Sequence, residues 1–241
     1  MGDPVVFKDP EIYLGGFRLT RAHNQFAMEA SFQENKDERF GDQARAFYPG
    51  VMVARASGGG FFAAGAGEID TVVAARIGSG TAWPLSCCPV GDVDGQVAYD
   101  IEVGQYSYRF GARHGESLPF TLGHTLRDGN GLVRSTIVLP RASRVGNVTG
   151  TGRQLGALSA AQKLVAVLHV FAATGGSITF TVESDDNAGF SSATTRLTFT
   201  AASGITRQVL ELSGPVTDDR WRVVGTGPGV THEAFATLAI L

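Results

Sequence analysis

Five histidines, His23, His114, His124, His169 and His232, are the first residues to weigh as acid–base groups or metal ligands. None stands two, three or four residues from another, so the spacing that lets two imidazoles share one zinc ion is absent. His169 alternates with Val165 and Val167, which reads as a strand residue satisfied inside a core. Asp92-Val93-Asp94-Gly95 and Asp185-Asp186-Asn187 resemble fragments of calcium loops, yet neither carries the closing bidentate Glu or the spaced oxygens such a loop needs. They read as turns. Gly150-x-Gly152-x-x-x-Gly156 misses the dinucleotide-binding spacing by one residue and has no strand–helix context. A Gly-x-Ser-x-Gly elbow and a Walker loop are both missing. No segment nominates a catalytic carboxylate pair. The expectation is a chain without catalytic residues, metal or cofactor.

Cys87 and Cys88 are the two cysteines, and they are adjacent. Neighbours in extended chain point to opposite sides, so a disulfide between them is disfavoured and small apolar fillers are expected. No apolar run reaches membrane-spanning length, and Met-Gly-Asp-Pro does not begin a signal peptide. These features imply a soluble product made in a reducing cytoplasm and not inserted in a membrane.

The elements that would position any site are β-strands. Hydrophobic residues make up 43% of the 241, enough for a core, and 32 glycines imply many tight turns. Ser177–Val182, Thr195–Thr200 and Gln208–Leu212 alternate apolar and polar residues, as strands buried on one face do. Leu164–Phe171 and Trp221–Val224 flank them, and Ala234–Leu241 is apolar to its end, so a last strand should tuck into a sheet. Short, evenly spaced strands argue an antiparallel sandwich.

Upstream, Glu11–Leu14 and Gln25–Phe32 read as strands, Val5–Phe7 as a further candidate, and Gly15-Gly16 as a turn. Gln33–Pro49 is rich in charge and contains Phe40, Phe47 and Tyr48, the pattern of a long functional loop. Val51–Ala56 is a strand that Gly58–Gly60 should break. Glu68–Ile77 is the one helix, with Ile69, Val72, Val73 and Ile77 on one face. Pro84–Val90 reads as irregular. Val97–Gln105, Tyr106–Phe110, Leu118–Leu126 and Val133–Leu139 read as strands, the last two joined by a turn at Asp128-Gly129-Asn130-Gly131. Pro140–Gly152 lacks a strand-like core. The resulting division is a first domain over 1–145, a linker over 146–152 and a second domain over 153–241.

Charge excludes one class of function. The formal net charge is −3, with 14 basic and 16 acidic residues in 1–150 and 6 against 7 in the remainder. Neither part is a basic nucleic-acid binder. The local Arg excess over 101–150 is too spread to track phosphates, and Tyr106, Tyr108 and Phe110 alternate like a strand face.

Two stretches resemble proteins of long-tailed phages. Gly15-Gly16, the charged loop with Phe40-Gly41-Asp42 and Pro49-Gly50, the strand Val51–Ala56, Gly58–Gly60 and the lone helix resemble the siphophage major tail tube protein. Leu155-Gly156-Ala157, Lys163–Phe171, Glu183–Phe190, Gly214-Pro215-Val216-Thr217 and Trp221-Arg222-Val223 resemble segments of phage tail and virion proteins. The resemblance implies a mainly β fold, a tail-tube-like sandwich or barrel with one flanking helix followed by an added C-terminal antiparallel sandwich. It further implies hexameric rings stacked into a tube that conducts DNA, located in the virion tail after assembly in the host cytoplasm. Partners would be sister copies and other tail proteins such as tape measure, terminator and baseplate. In that setting Phe40, Phe47 and Tyr48 would anchor the loop on the next ring, with Asp42 and Arg45 among the charges that set register. The alternative is a minor tail, baseplate or head-decoration protein whose C-terminal sandwich binds a cell-surface glycan through Phe190 and Trp221.

Overall fold

The computed structural model describes Phe7 and residues 9–37 and 46–241. The fold is mainly β, built of antiparallel sheets with one short α-helix among the described residues. Its contacts divide the chain into two units, one of residues 1–20, 83–100 and 133–241, the other of 21–82 and 101–132. This differs from a cut near residue 146, because the chain crosses between units inside two of its strands.

The first unit is a sandwich. One sheet is ordered β13 (Thr206–Ser213), β10 (Lys163–Thr174), β15 (Thr231–Ile240), β7 (Pro119–Val145), β6 (Val97–Phe110), β5 (Trp83–Cys88), β1 (Glu11–Leu14) and β2 (Phe17–Arg18), with β6 and β7 contributing only residues 97–100 and 133–145 here. The other holds β12 (Thr194–Thr198), β11 (Thr179–Asp185) and β14 (Arg220–Thr226), with β8 (Val148–Thr149) and β9 (Arg153–Gln154) paired to β14. Alternation explains the core between them. Leu164, Ala166, Leu168 and Val170 of β10 and Ala234, Ala236 and Leu238 of β15 meet Phe180, Val182, Trp221 and Val223 of the second sheet. The intervening residues point the other way, where Phe235 and Ile137 pack with Tyr13, Cys88 and Ala98. The final strand is therefore buried on both faces, between β10 and β7.

Several expectations from sequence are corrected here. Pro84–Val90 is not irregular: β5 pairs with β1 from Glu11↔Cys88 to Leu14↔Leu85. Asp128–Gly131 is not a hairpin turn, since β7 runs through it. Gly129 (φ +80°) and Gly131 (φ +78°) take conformations that would strain any side chain, and they are absorbed as irregularities within the strand. Residues 140–145, read as lacking a strand-like core, belong to β7, and Ala142–Val145 pair with Thr231–Ala234 of β15.

In the second unit, β4 (Ala46–Phe61) pairs with β3 (His23–Asp37) on one edge and with β7 from Arg55↔Thr125 to Phe61↔Pro119 on the other. Gly58–Gly60 does not break the strand. These residues lie close against the flanking strands, and a Cβ at Gly60 would collide with the Ala22 carbonyl. The helix α1 spans Ile69–Ala74, shorter than 68–77, and buries Ile69, Val72 and Val73. It ends early because Arg76 turns its guanidinium to the Val103 carbonyl (3.2 Å) and Ile77 makes a parallel bridge to Gln105.

Candidate functional site

Two places merit construction as sites: the ionisable cluster inside the first unit and the hairpin β3–β4 of the second.

The cluster begins with His169, on the face of β10 turned away from the sandwich core. The Gly16 N–H donates to its Nδ1 (3.3 Å), so the ring proton sits on Nε2, which donates to Ser86 Oγ (2.9 Å). Ser86 in turn donates to Asp100 Oδ1. Ser135 Oγ and Thr237 Oγ1 meet Asp100 Oδ2, the latter at 2.7 Å. Asp100, Ser86, Ser135, His169 and Thr237 are all buried. A nucleophilic serine must give its proton to the imidazole. Here the serine stands between imidazole and carboxylate and points its proton at the carboxylate, the reverse order. Burial also drops His169 to about 3, which makes it a weak base. The cluster ties β5, β6, β7, β10 and β15 together. Its role is architectural, as the alternation of His169 with valines suggested.

The remaining candidates for chemistry resolve in the same way. Asp185 accepts the backbone N–H groups of Asn187 (2.9 Å) and Ser192 (2.8 Å), which is turn chemistry. Asp92 receives the Tyr13 hydroxyl (2.6 Å) and the Arg141 N–H (3.0 Å), and Asp94 pairs with Arg153. Cys87 and Cys88 are free and buried, and burial raises the Cys87 thiol to about 12. Among the described residues no group of three or more His, Cys, Asp or Glu side chains is arranged to hold a metal ion. No described helix is long and apolar enough to cross a membrane.

Neither aromatic singled out for glycan stacking presents an open face. Trp221 is fully buried between the sheets, and its indole N–H donates to the Gly156 carbonyl (2.9 Å). Phe190 is nearly buried, holds φ at +51°, and lies under the Arg222 guanidinium at 4.3 Å.

The hairpin is the other candidate. Pairing of β3 with β4 extends from His23↔Gly60 to Asp37↔Ala46, so residues 33–37 and 46–49 are strand and not loop. The cross-strand pair Glu29↔Arg55 places opposite charges side by side, which favours this register. Beyond Arg55, β4 has no partner but β3 among the described residues. Ala54 is still buried and Met52 lies against Gly131 of β7, but the outer part of the ribbon is mostly open to water. Residues 29–35 are all exposed, and Phe32 (54%), Tyr48 (56%) and Val51 (73%) present large apolar surface. Phe40, Asp42 and Arg45, expected to make the contact, lie outside the described residues, as does the side chain of Phe47. Phe32 and Val51 were not singled out from sequence. The signal available was the apolar alternation Phe26, Met28, Ala30, Phe32 continuing into a segment too charged to cover it.

The second unit also has a row of rings on β6. Tyr108 lies 5.6 Å from Phe110 and 6.1 Å from Phe120, with Phe62 5.4 Å from Phe110. A shallow groove of about 480 Å³ runs beside it, lined by Arg109, Phe110, Arg113, Glu116, Pro119 and Phe120. The rings lie tilted on one another as on a strand face, in line with the alternation read from sequence.

No family model and no curated protein matches the chain. Among solved structures it is similar to a chain from the virion of a native gene transfer agent particle, at 16% identity and TM-score 0.45 over 54% of this chain and 98% of that one. It is also similar to the SPP1 tail tube, at 11% identity and TM-score 0.42 over 53% and 81% of the two chains. The SPP1 Dit protein, described as a hub adsorption apparatus protein of phages infecting Gram-positive hosts, aligns over 97% of this chain and 100% of its own, at 9% identity and TM-score 0.37.

Proposed function

We propose that this chain is a structural subunit of a long-tailed phage tail, and that it polymerises through the hairpin β3–β4 into rings stacked as a tube. The observation that supports this reading is the bare outer ribbon of the hairpin. A two-stranded ribbon alone in water is marginal, and an open edge with exposed apolar side chains invites pairing. Docking on a sister copy would bury Phe32, Tyr48 and Val51 and complete the free edges with backbone hydrogen bonds. Phe40, Asp42, Arg45 and Phe47 would extend the contact at the hairpin's end.

The sequence resemblance to the major tail tube protein supports the finer points: six copies per ring, a DNA-conducting lumen, and placement in the virion beside tape measure, terminator and baseplate proteins. A slightly acidic chain suits a lumen through which DNA must slide, because clustered phosphate-binding arginines would retard it. Residues 153–241 would form the outer, decorating part. The glycan-binding alternative would need open ring faces, whereas Trp221 is buried between the sheets and Phe190 is covered by Arg222. Negative-stain microscopy of the purified chain tests the proposal: rings or tubes are expected, and a field of isolated monomers at high concentration rejects it.

A further inference from the structure

Strand β4 carries an exposed apolar patch at each of its ends. At the hairpin end Phe32 pairs with Met52, and Tyr48, an even number of positions before Met52, returns to the same face, so two exposed rings stand on one side of the ribbon. At the other end Phe61 pairs with Pro119 and is 56% exposed. The groove of the second unit adjoins it, lined by buried Phe120, exposed Phe110, Arg109 and Arg113. The free charges are sorted in the same way. Glu34 is exposed on the hairpin, and no base pairs with it among the described residues, whereas Glu29 faces Arg55. Arg109 and Arg113 are exposed at the groove, and among the described residues no acid pairs with either guanidinium. Glu116 of the groove is taken up by the Arg113 backbone N–H (3.2 Å).

The strand itself keeps the two patches apart. Val51 and Phe61 lie on one continuous strand, separated by about 33 Å at about 3.3 Å per residue. Over Arg55–Phe61 that strand is held between β3 and β7, so a hairpin cannot bend back into its own groove. A second copy has no such restriction.

Resting on the self-association proposed above, we infer its counterpart surface: the hairpin of one copy, led by Phe32, Tyr48 and Glu34, seats in the Arg109 and Arg113 groove of the next. The hairpin rings cover Phe110 and Phe61, the aromatic kind of anchor that carries most interface energy. The Glu34 carboxylate meets guanidinium forks suited to it, and the opposite charges fix which end meets which. Each copy then gives one patch and receives the other. Such a head-to-tail contact repeats in one direction, closing a ring where the rotation between copies closes and growing as a filament where it does not. Two hairpins meeting across a two-fold axis would instead leave both grooves empty and their arginines without acids.

Cysteine cross-linking of the full chain tests this, because Cys87 and Cys88 are buried. Asn35, opposite Tyr48 on the hairpin, and Ala112, in the groove, are both exposed. With a short bis-maleimide, Asn35→Cys/Ala112→Cys should give a ladder of multimers on a denaturing gel. A mixture of the two single variants should give a dimer, and each single variant alone should stay monomeric. Asn35→Cys chains that cross-link to one another show hairpin meeting hairpin and overturn the inference. Sedimentation velocity gives a second reading: Arg109→Glu/Arg113→Glu should lose the large species of the wild-type chain while keeping its circular dichroism. If the wild-type chain assembles but the double cysteine variant gives no ladder, or the charge-reversed chain assembles equally well, the groove is rejected and self-association stands. A wild-type chain that stays monomeric at every concentration overturns both.

Discussion

Thr237, four residues from the end of the chain, donates a 2.7 Å hydrogen bond to Asp100, 137 residues earlier. One contact therefore joins the last strand to the middle of the sequence inside a fully buried layer. Thr237→Val keeps the shape and removes one donor while Ser135 stays on the same oxygen, so it should cost about 0.5–1.5 kcal/mol, the usual net worth of one hydrogen bond. Urea unfolding followed by circular dichroism measures it, and a midpoint unchanged from wild type would show the bond contributes nothing.

Trp221 fills the sandwich, so its truncation is a core defect and not a loss of recognition. Trp221→Ala should lower stability by about 3–5 kcal/mol. Trp221→Phe keeps most of the volume but leaves the Gly156 carbonyl without its donor, and should fall between. Thermal unfolding of the three chains gives the order.

Gly60 tests the correction made to β4. If the glycines are there for close approach to β3, Gly60→Ala must push strand against the Ala22 carbonyl and cost about 1–3 kcal/mol as overpacking. A neutral or stabilising effect would return Gly58–Gly60 to the role of a flexible break.

Glu11 gives a pH dependence that follows from its pairing with Arg18. Burial alone would raise its carboxyl, but hydrogen bonds from Arg18 and Thr20 and the Arg18 charge hold it below the ordinary value. Its contribution is then present above the unfolded carboxyl titration and lost as pH falls through the folded one. Glu11→Gln should therefore lower the melting temperature at neutral pH and make little difference near pH 3. An equal shift at both would assign Glu11 a packing role only.

How much of this was legible depended on whether a strand shows water to one face. Leu164–Phe171 and Trp221–Val224 were read correctly as strands because pattern and flanking turns agree. Trp83–Cys88 escaped because it is buried along nearly its whole length, so the period-two signal vanishes, and Pro84 reads as a breaker. The Asp128–Gly131 dipeptides are strong turn signals that the pairing of β7 on both sides overrides. The Asp100 network was invisible, since its members lie 14, 35 and 137 residues apart. The one trace was an acid, Asp100, at an apolar-facing position between Tyr99 and Ile101. Within the hairpin, Gln33–Pro49 was read as loop from its charge, whereas its described residues 33–37 and 46–49 are paired strand.

The hairpin carries the central claim, and sedimentation velocity over a wide range of concentration tests it most directly, comparing the chain with Phe32→Ser/Tyr48→Ser. Both side chains are more than half exposed, so the variant should shift the melting temperature little. The account expects large, concentration-dependent species from the wild-type chain and their disappearance in the double variant. A wild-type chain that stays monomeric at every concentration, or a variant that assembles as well as its parent, contradicts it.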